Sequence, residues 1–231
     1  MDKLDLLKAG VFKIKFWNRD HIQFNDEAHI YLKDLKEVEI STSKFIECLD
    51  PKFLELKQQK WFQEKVLKGS AQRGSEVHKW TELYDQYIKT NADKIPVPEH
   101  KTYCYEYHYF YQKFKDRLDM VGTELIMYSH SLDICGTIDR LYWDKVEQKV
   151  VLLDIKTGDP RDSHWYQQLV YKYMLAEWGI EVDTILLLSL KGKYKVHSYD
   201  KVSDIRKKKL EADIDYLINK RIKKVKRGKD E

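Results

Sequence analysis

The chain has 231 residues, 42% of them hydrophobic and 35% charged, which allows one substantial core and excludes wholesale disorder. Its 42 basic and 38 acidic residues leave a formal charge of only +4, so bulk charge does not mark a nucleic-acid binder. The 3 cysteines, Cys48, Cys104 and Cys135, are scattered without CxxC spacing, which excludes a disulfide framework or cysteine zinc site and fits reduced thiols in a cytoplasmic protein. Met1 to Gly10 carries acidic residues and no long apolar run, unlike a signal peptide. No stretch approaches the ~20 apolar residues of a membrane span.

The expected organisation is a single domain over residues 1–231, with a β-hairpin and helices over 1–70, a core over 71–200 and a basic C-terminal helix over 201–231. Val11 to Phe16 alternates in large part and predicts a short strand. Ile22-Gln23-Phe24 and His29-Ile30-Tyr31-Leu32, joined by an Asn25-Asp26 turn, predict a small hairpin, and Glu37 to Ile40 predicts another strand. Ser41-Thr42-Ser43 offers N-caps for a helix over Lys44 to Leu49. Phe53 to Leu67 has helical periodicity that ends near Gly69-Ser70. A second helix starts at Ala71 or Ser75 and runs to about Thr90, with Val77, Trp80, Tyr84, Tyr87 and Ile88 as its apolar stripe. His78 lies off that stripe, on a face shared with Gly74 and Asp85, and the bare Gly74 leaves room for another chain beside it.

Asn91 to His100, with Pro96 and Pro98, reads as a loop. Tyr103, Tyr105, Tyr107, Tyr109 and Tyr111 alternate as a strand would. Tyr103, Tyr107, Phe110, Phe114 and Leu118 also keep helical spacing, and the polar residues from Gln112 to Arg117 favour helix. These tyrosines either pack a core or stack on the bases of a single strand. Val121 to His130 predicts the first core strand, with Glu124 inside it. Asp133 to Asp144 and Lys149 to Lys156 predict a hairpin turning at Glu147-Gln148. Pro160 and Ser163 start a helix through about Trp178, on which Gln167 and Tyr171 are one turn apart with Gln168 beside them. Asp183 to Leu190 suits a central strand and Tyr194 to Tyr199 its hairpin partner. Residues 201–225 form a last helix whose basic clusters, Lys207 and Lys208 among them, are either a solvated face or a track for a phosphate backbone. The pattern predicts an α/β fold, a mixed sheet of about four or five strands flanked by helices, with an N-terminal β-hairpin addition.

The chemistry concentrates on the central hairpin. Strand alternation points Asp154 and Lys156 one way and Ile155 into the core. The hairpin brings Asp139 to the same place, and Leu152, Leu153 and Ile155 bury it. A buried carboxylate pair is costly unless a cation neutralises it. Two carboxylates supply the hard oxygens that Mg²⁺ or Mn²⁺ prefers. A neighbouring lysine steadies an attacking water or balances charge on a phosphate. Asp139, Asp154 and Lys156 therefore point to metal-assisted phosphodiester hydrolysis. A bare Asp-x-Lys is otherwise an ordinary strand-end ion pair, and the motifs around it separate the two readings.

Gly136-Thr137-Ile138-Asp139, then Asp154-Ile155-Lys156-Thr157-Gly158, then Gln167 and Tyr171 on the following helix resemble, in this order, the PD-(D/E)XK nuclease superfamily in its RecB-like exonuclease branch. Arg73-Gly74-Ser75-Glu76-Val77-His78 resembles the Gly-x-x-x-His element of that branch, so the likeness spans about residues 73–173. The N-terminal hairpin and capped helix are loosely similar to those of phage-type and mitochondrial genome maintenance exonucleases. The resemblance implies a restriction-endonuclease-like core and a divalent metal, Mg²⁺ or Mn²⁺, held by Asp139, Asp154 and the main-chain carbonyl of Ile155, with His78 completing the set. It places Glu124 near the metal as a support, against a salt bridge elsewhere. It gives Lys156 the attacking water, to position or help deprotonate. It gives Gln167 and Tyr171, or Gln168 in a shifted register, a DNA phosphate or the orientation of the lysine. Arg73 and the C-terminal helix become candidates for phosphate contacts. The four-cysteine iron–sulfur cluster of some members cannot be built here. The implied function is a metal-dependent DNA exonuclease of recombination, repair or replication, acting on DNA with free ends. An endonuclease of the same superfamily and a catalytically silent DNA-binding module are the alternatives.

Overall fold

A computed structural model describes residues 2–25, 30–90, 95 and 97–227. Asp2 caps the first helix, accepting from the Asp5 amide at 2.8 Å, and α1 (Lys3–His21) follows. It occupies the segment where alternation predicted a strand. Leu7, Val11 and Ile14 form its buried stripe, while Phe12 and Phe16 face solvent. Those two exposed rings bracket Ile14 and imitate a period of two.

The predicted hairpin is present as β1 (Ile22–Asn25) and β2 (Ile30–Lys33), antiparallel with Gln23 opposite Leu32. Asp26 of its expected turn and the expected strand residue His29 lie outside the described residues. β3 (Lys36–Glu37), shorter than the expected strand, completes a separate three-stranded antiparallel sheet. Ser41 caps α2 (Thr42–Ile46), its hydroxyl accepting from the Lys44 amide at 3.3 Å. The helix expected up to Leu67 is divided into α3 (Pro51–Lys57), α4 (Lys60–Phe62) and a π-helical turn (Gln63–Leu67). The predicted break at Gly69-Ser70 is absent, and α5 (Lys68–Thr90) runs through it. Gly69 is exposed, and its propensity cost of ~1 kcal/mol does not end the helix. Pro96 of the predicted loop lies outside the described residues. α6 (Lys101–Phe114) is helical as its polar spacing predicts. Cys104, Tyr107 and Phe110 pack its core face, and Tyr105 and Tyr109 are exposed.

The main sheet runs in the order β4 (Leu118–Ser129), β5 (Ile134–Asp144), β6 (Lys149–Lys156), β7 (Thr184–Ser189) and β8 (Lys195–Ser198). Only the β6–β7 pair is parallel, so the sheet is mixed. A parallel pair needs a crossover, supplied by α7 (Asp162–Glu177). The last helix is α8 (Asp204–Arg227). Leu141, Trp143, Val150, Leu152, Ile185 and Leu187 pack against α1, α2, α7 and α8 on one face of the sheet. Tyr142, Val151, Leu153, Ile155 and Leu188 pack against Val77, Trp80 and Tyr84 of α5, and against α6, on the other. Burial on both faces is why β6 and β7 read as continuous apolar runs. The molecule is thus an α/β protein with a five-stranded mixed sheet flanked by helices and a separate three-stranded sheet. No described helix is long and apolar enough to cross a membrane.

Candidate metal centre

In the antiparallel β5–β6 pair, Arg140 is opposite Leu153. One more step in that register sets Asp139 beside Asp154. The regular ladder stops there, and the Asp139 carboxylate takes its place, Oδ2 accepting from the Ile155 amide at 2.7 Å. Both aspartates are buried, Asp154 to 2% exposure. The Lys156 ammonium returns onto Asp154, with Nζ 2.9 Å from Oδ1 and 2.8 Å from Oδ2. Its hydrogen bond is directed at Oδ1, which leaves Oδ2 buried without an aligned donor. Ile155 points into the α5–α6 core.

The charges follow from this enclosure. Burial pushes the Asp154 carboxyl up to about 7; Asp139 adds to the shift and the Lys156 ammonium opposes it. Burial also works against the charge on Lys156, but Asp154 and Asp139 outweigh it and hold the ammonium above the usual lysine range. Lys156 is therefore a fixed cation at neutral pH.

α5 brings His78 to the same point. Its Nε2 is 2.9 Å from the Ile155 carbonyl oxygen. A carbonyl only accepts, so Nε2 carries the proton. Burial lowers the ring's pKa against the pull of Asp139, which keeps it neutral and leaves a lone pair on Nδ1. That Nδ1 stands 3.5 Å from Oδ2 of Asp139, so two acceptors face each other. Glu124 of β4 joins them. His78, Glu124 and Asp139 each offer one ligand atom, all within 4.8 Å of one another. Glu124 has φ 43°, uncommon for a residue with a side chain. Burial, then Asp139, pushes its carboxyl up to about 8.

This donor set fits a divalent cation. Adjacent octahedral ligands at ~2.1 Å stand about 3 Å apart, close to the 3.5 Å between His78 Nδ1 and Asp139 Oδ2. Facing lone pairs and carboxyls held above their normal range are the features a cation would relieve. The residues expected at the metal or in support of it, His78, Asp139, Asp154, Ile155 and Glu124, all lie at this point. His78, Glu124 and Asp139 form the compact group, Asp154 sits beside it on Lys156, and the Ile155 carbonyl accepts from His78.

The flanking motifs meet here too. A Cβ on Gly136 would strike the Thr42 hydroxyl and would come 2.6 Å from Cε1 of Tyr171. Glycine in Gly-x-x-Asp is what lets α2 and α7 reach the end of β5. Gln167 Nε2 donates to the Tyr171 hydroxyl at 3.2 Å. Burial holds that hydroxyl well above the usual tyrosine range, and the charges of Asp139 and Asp154 reinforce this. Gln168 is buried with its amide oxygen lacking a partner. A cleft of about 560 Å³ opens beside Lys156, between α2 and the start of α7; Lys44, Arg161, His164 and Gln167 line it with Asp50 and the paired Lys57 and Glu47.

Of the other expected contacts, the Arg73 guanidinium lies 5.6 Å from the Tyr103 ring centre. Lys207 is committed to the fold, donating to the Asp200 carbonyl at 2.9 Å, and Lys208 is exposed. Two residues at the site escaped the sequence reading. His164 accepts at Nδ1 from the Arg161 amide at 3.2 Å, and burial with Lys156 and Arg161 pushes its pKa down to about 3. Arg140, next to Asp139, is wholly buried. A cation in so apolar a strand requires buried anions, and of its two carboxylate partners only Glu124 stood out in the sequence, as an acidic residue inside an apolar strand. Comparison with known proteins adds no relative: no family model matches the chain, and no curated protein matches it.

Proposed function

We infer that the protein is a metal-dependent DNA nuclease, acting as an exonuclease, with a RecB-like nuclease core. One observation carries the reading. The Asp139, Asp154–Lys156 and Gln167/Tyr171 elements, drawn from separate stretches of sequence, converge with His78 and Glu124 at one end of the sheet beside a cleft whose wall carries Lys156 and Arg161. His78, Glu124 and Asp139 would hold the ion, with Asp154 next to it. A bound divalent ion supplies Lewis-acid polarisation of a phosphate and an activated water.

The chain's own groups do the rest. Lys156, pinned by Asp154, presents a fixed positive charge to a phosphoryl oxygen or an attacking water. Its raised pKa favours this positioning role over that of a base. Gln167 orients the Tyr171 hydroxyl, and its place on the cleft wall suits a DNA phosphate. His164, kept neutral, lines the cleft without adding charge.

End-labelled single- and double-stranded DNA incubated with and without Mn²⁺ tests this. The expected result is Mn²⁺-dependent shortening from an end, with closed circular DNA left intact. Cleavage of the circle would instead indicate an endonuclease of the same superfamily. DNA binding without degradation would indicate a silent module.

A further inference from the structure

The guanidinium of Arg140 bonds directly to Glu124 and Asp139 of the proposed metal-binding group and reaches the third member, His78, through Thr81. It has 0% exposure and five polar partners. Nη1 donates to the main-chain oxygen of Asp139 and to Oε1 of Glu124, each at 2.7 Å. Nε donates to Asp85 Oδ2 at 2.6 Å and lies 3.4 Å from the Tyr107 hydroxyl. Nη2 donates to the Thr81 hydroxyl at 3.0 Å, which in turn donates to the main-chain oxygen of His78 at 2.8 Å. Asp85 is fixed from the far side by the Tyr107 hydroxyl, at 2.8 and 2.9 Å from its two oxygens.

We propose that Arg140 is a positioning residue: with Thr81 and Asp85 it sets the places of His78, Glu124 and Asp139 relative to one another. This rests on the reading that the three residues bind a divalent ion. Besides the bond from the His78 ring to the Ile155 carbonyl of β6, this bridge is what ties α5 by polar contacts to β5 and so sets the rotation of the helix against Asp139. Glu124 needs it most. Its positive φ is strained and persists only where its surroundings over-determine it, which the bond to Arg140 does. Only arginine can do this, because the task needs a planar fork reaching a strand carbonyl, two carboxylates and a helix hydroxyl at once.

A purely structural role would cost stability and leave metal affinity alone, so affinity is the discriminating readout. Mn²⁺ binding is measured by the electron paramagnetic resonance of the free ion, beside thermal unfolding without metal. Thr81→Val removes the bridging hydroxyl and keeps the shape; Thr81→Ser restores the hydroxyl. The Asp85→Leu/Arg140→Met double variant removes the buried Asp85–Arg140 pair together and frees Glu124 from the clamp. Folded Thr81→Val is expected to bind Mn²⁺ about 10- to 100-fold more weakly, as for other groups that orient metal ligands. Thr81→Ser is expected to recover wild-type affinity, and the double variant to lose at least as much as Thr81→Val. Affinity within twofold of wild type in folded Thr81→Val would overturn the proposal and leave the metal-site reading standing. If the double variant does not fold, Thr81→Val decides alone. Wild-type protein that binds no Mn²⁺, or binds it as well after Asp139→Ala, would remove the metal site and this proposal together.

Discussion

At the scale of single residues, the site crowds carboxyl groups together where water solvates them poorly, Asp154 buried and Glu124 half-buried. Folded Asp154 and Glu124 hold protons up to about 7 and about 8, whereas the unfolded chain releases them near 3.8 and 4.5. His78 and His164 are shifted the other way, and their cost to stability appears only below about 6.5. Between 6.5 and about 8, the folded state therefore binds more protons at this site than the unfolded one, and stability falls as pH rises. The melting temperature of metal-free protein should drop across that window, and Asp154→Asn should flatten the drop. A midpoint that holds or climbs in the wild type would contradict the enclosure of these carboxyls. Gly136 allows a second test. Gly136→Ala forces a methyl against Thr42 and Tyr171, an overpacking expected to cost about 1–3 kcal/mol in urea denaturation.

At the scale of elements, the sequence was legible where burial is two-sided. β6 matches its predicted bounds of Lys149 to Lys156 because a run of Val and Leu closed by a charged residue leaves little choice. β7, α6 and α7 were legible for similar reasons. α1 was not, because exposed Phe12 and Phe16 overwrite the helical stripe. The division of the segment before α5 was also invisible, since Gln58 and Gln59 carry no breaker signal and Gly69 carries a false one. At the site, the aspartates and the lysine were legible as a spacing. The clamp on Arg140 was not, because its partners come from α5, α6 and β4 and meet only in three dimensions. Gly74 of α5 belongs to this scale. A Cβ there would meet nothing within 4 Å, so Gly74→Ala should stabilise the helix by about 0.4–1 kcal/mol. If DNA passes over that gap beside His78, the same variant should degrade DNA more slowly while melting higher. Unchanged DNA degradation in the stabilised variant would place the DNA elsewhere.

At the scale of the whole molecule, the β6–α7–β7 unit decides where chemistry can sit. Parallel strands with a helical crossover leave a crevice outside their carboxyl ends, the common ligand position in open α/β sheets. Lys156 ends β6 there, the cleft opens there, and α7 starts on its far side. α5 and α6 on one face and α2 and α7 on the other deliver His78 and Tyr171 to that same end, so the site depends on both layers being assembled. The most direct measurement is the rate of end-labelled DNA degradation with Mn²⁺ by wild-type, Asp154→Ala and Lys156→Ala protein, each checked for folding by circular dichroism. Both variants are expected to stay folded and to lose at least about 10³-fold in rate. Degradation by either folded variant at the wild-type rate would contradict a catalytic site built on Asp154 and Lys156.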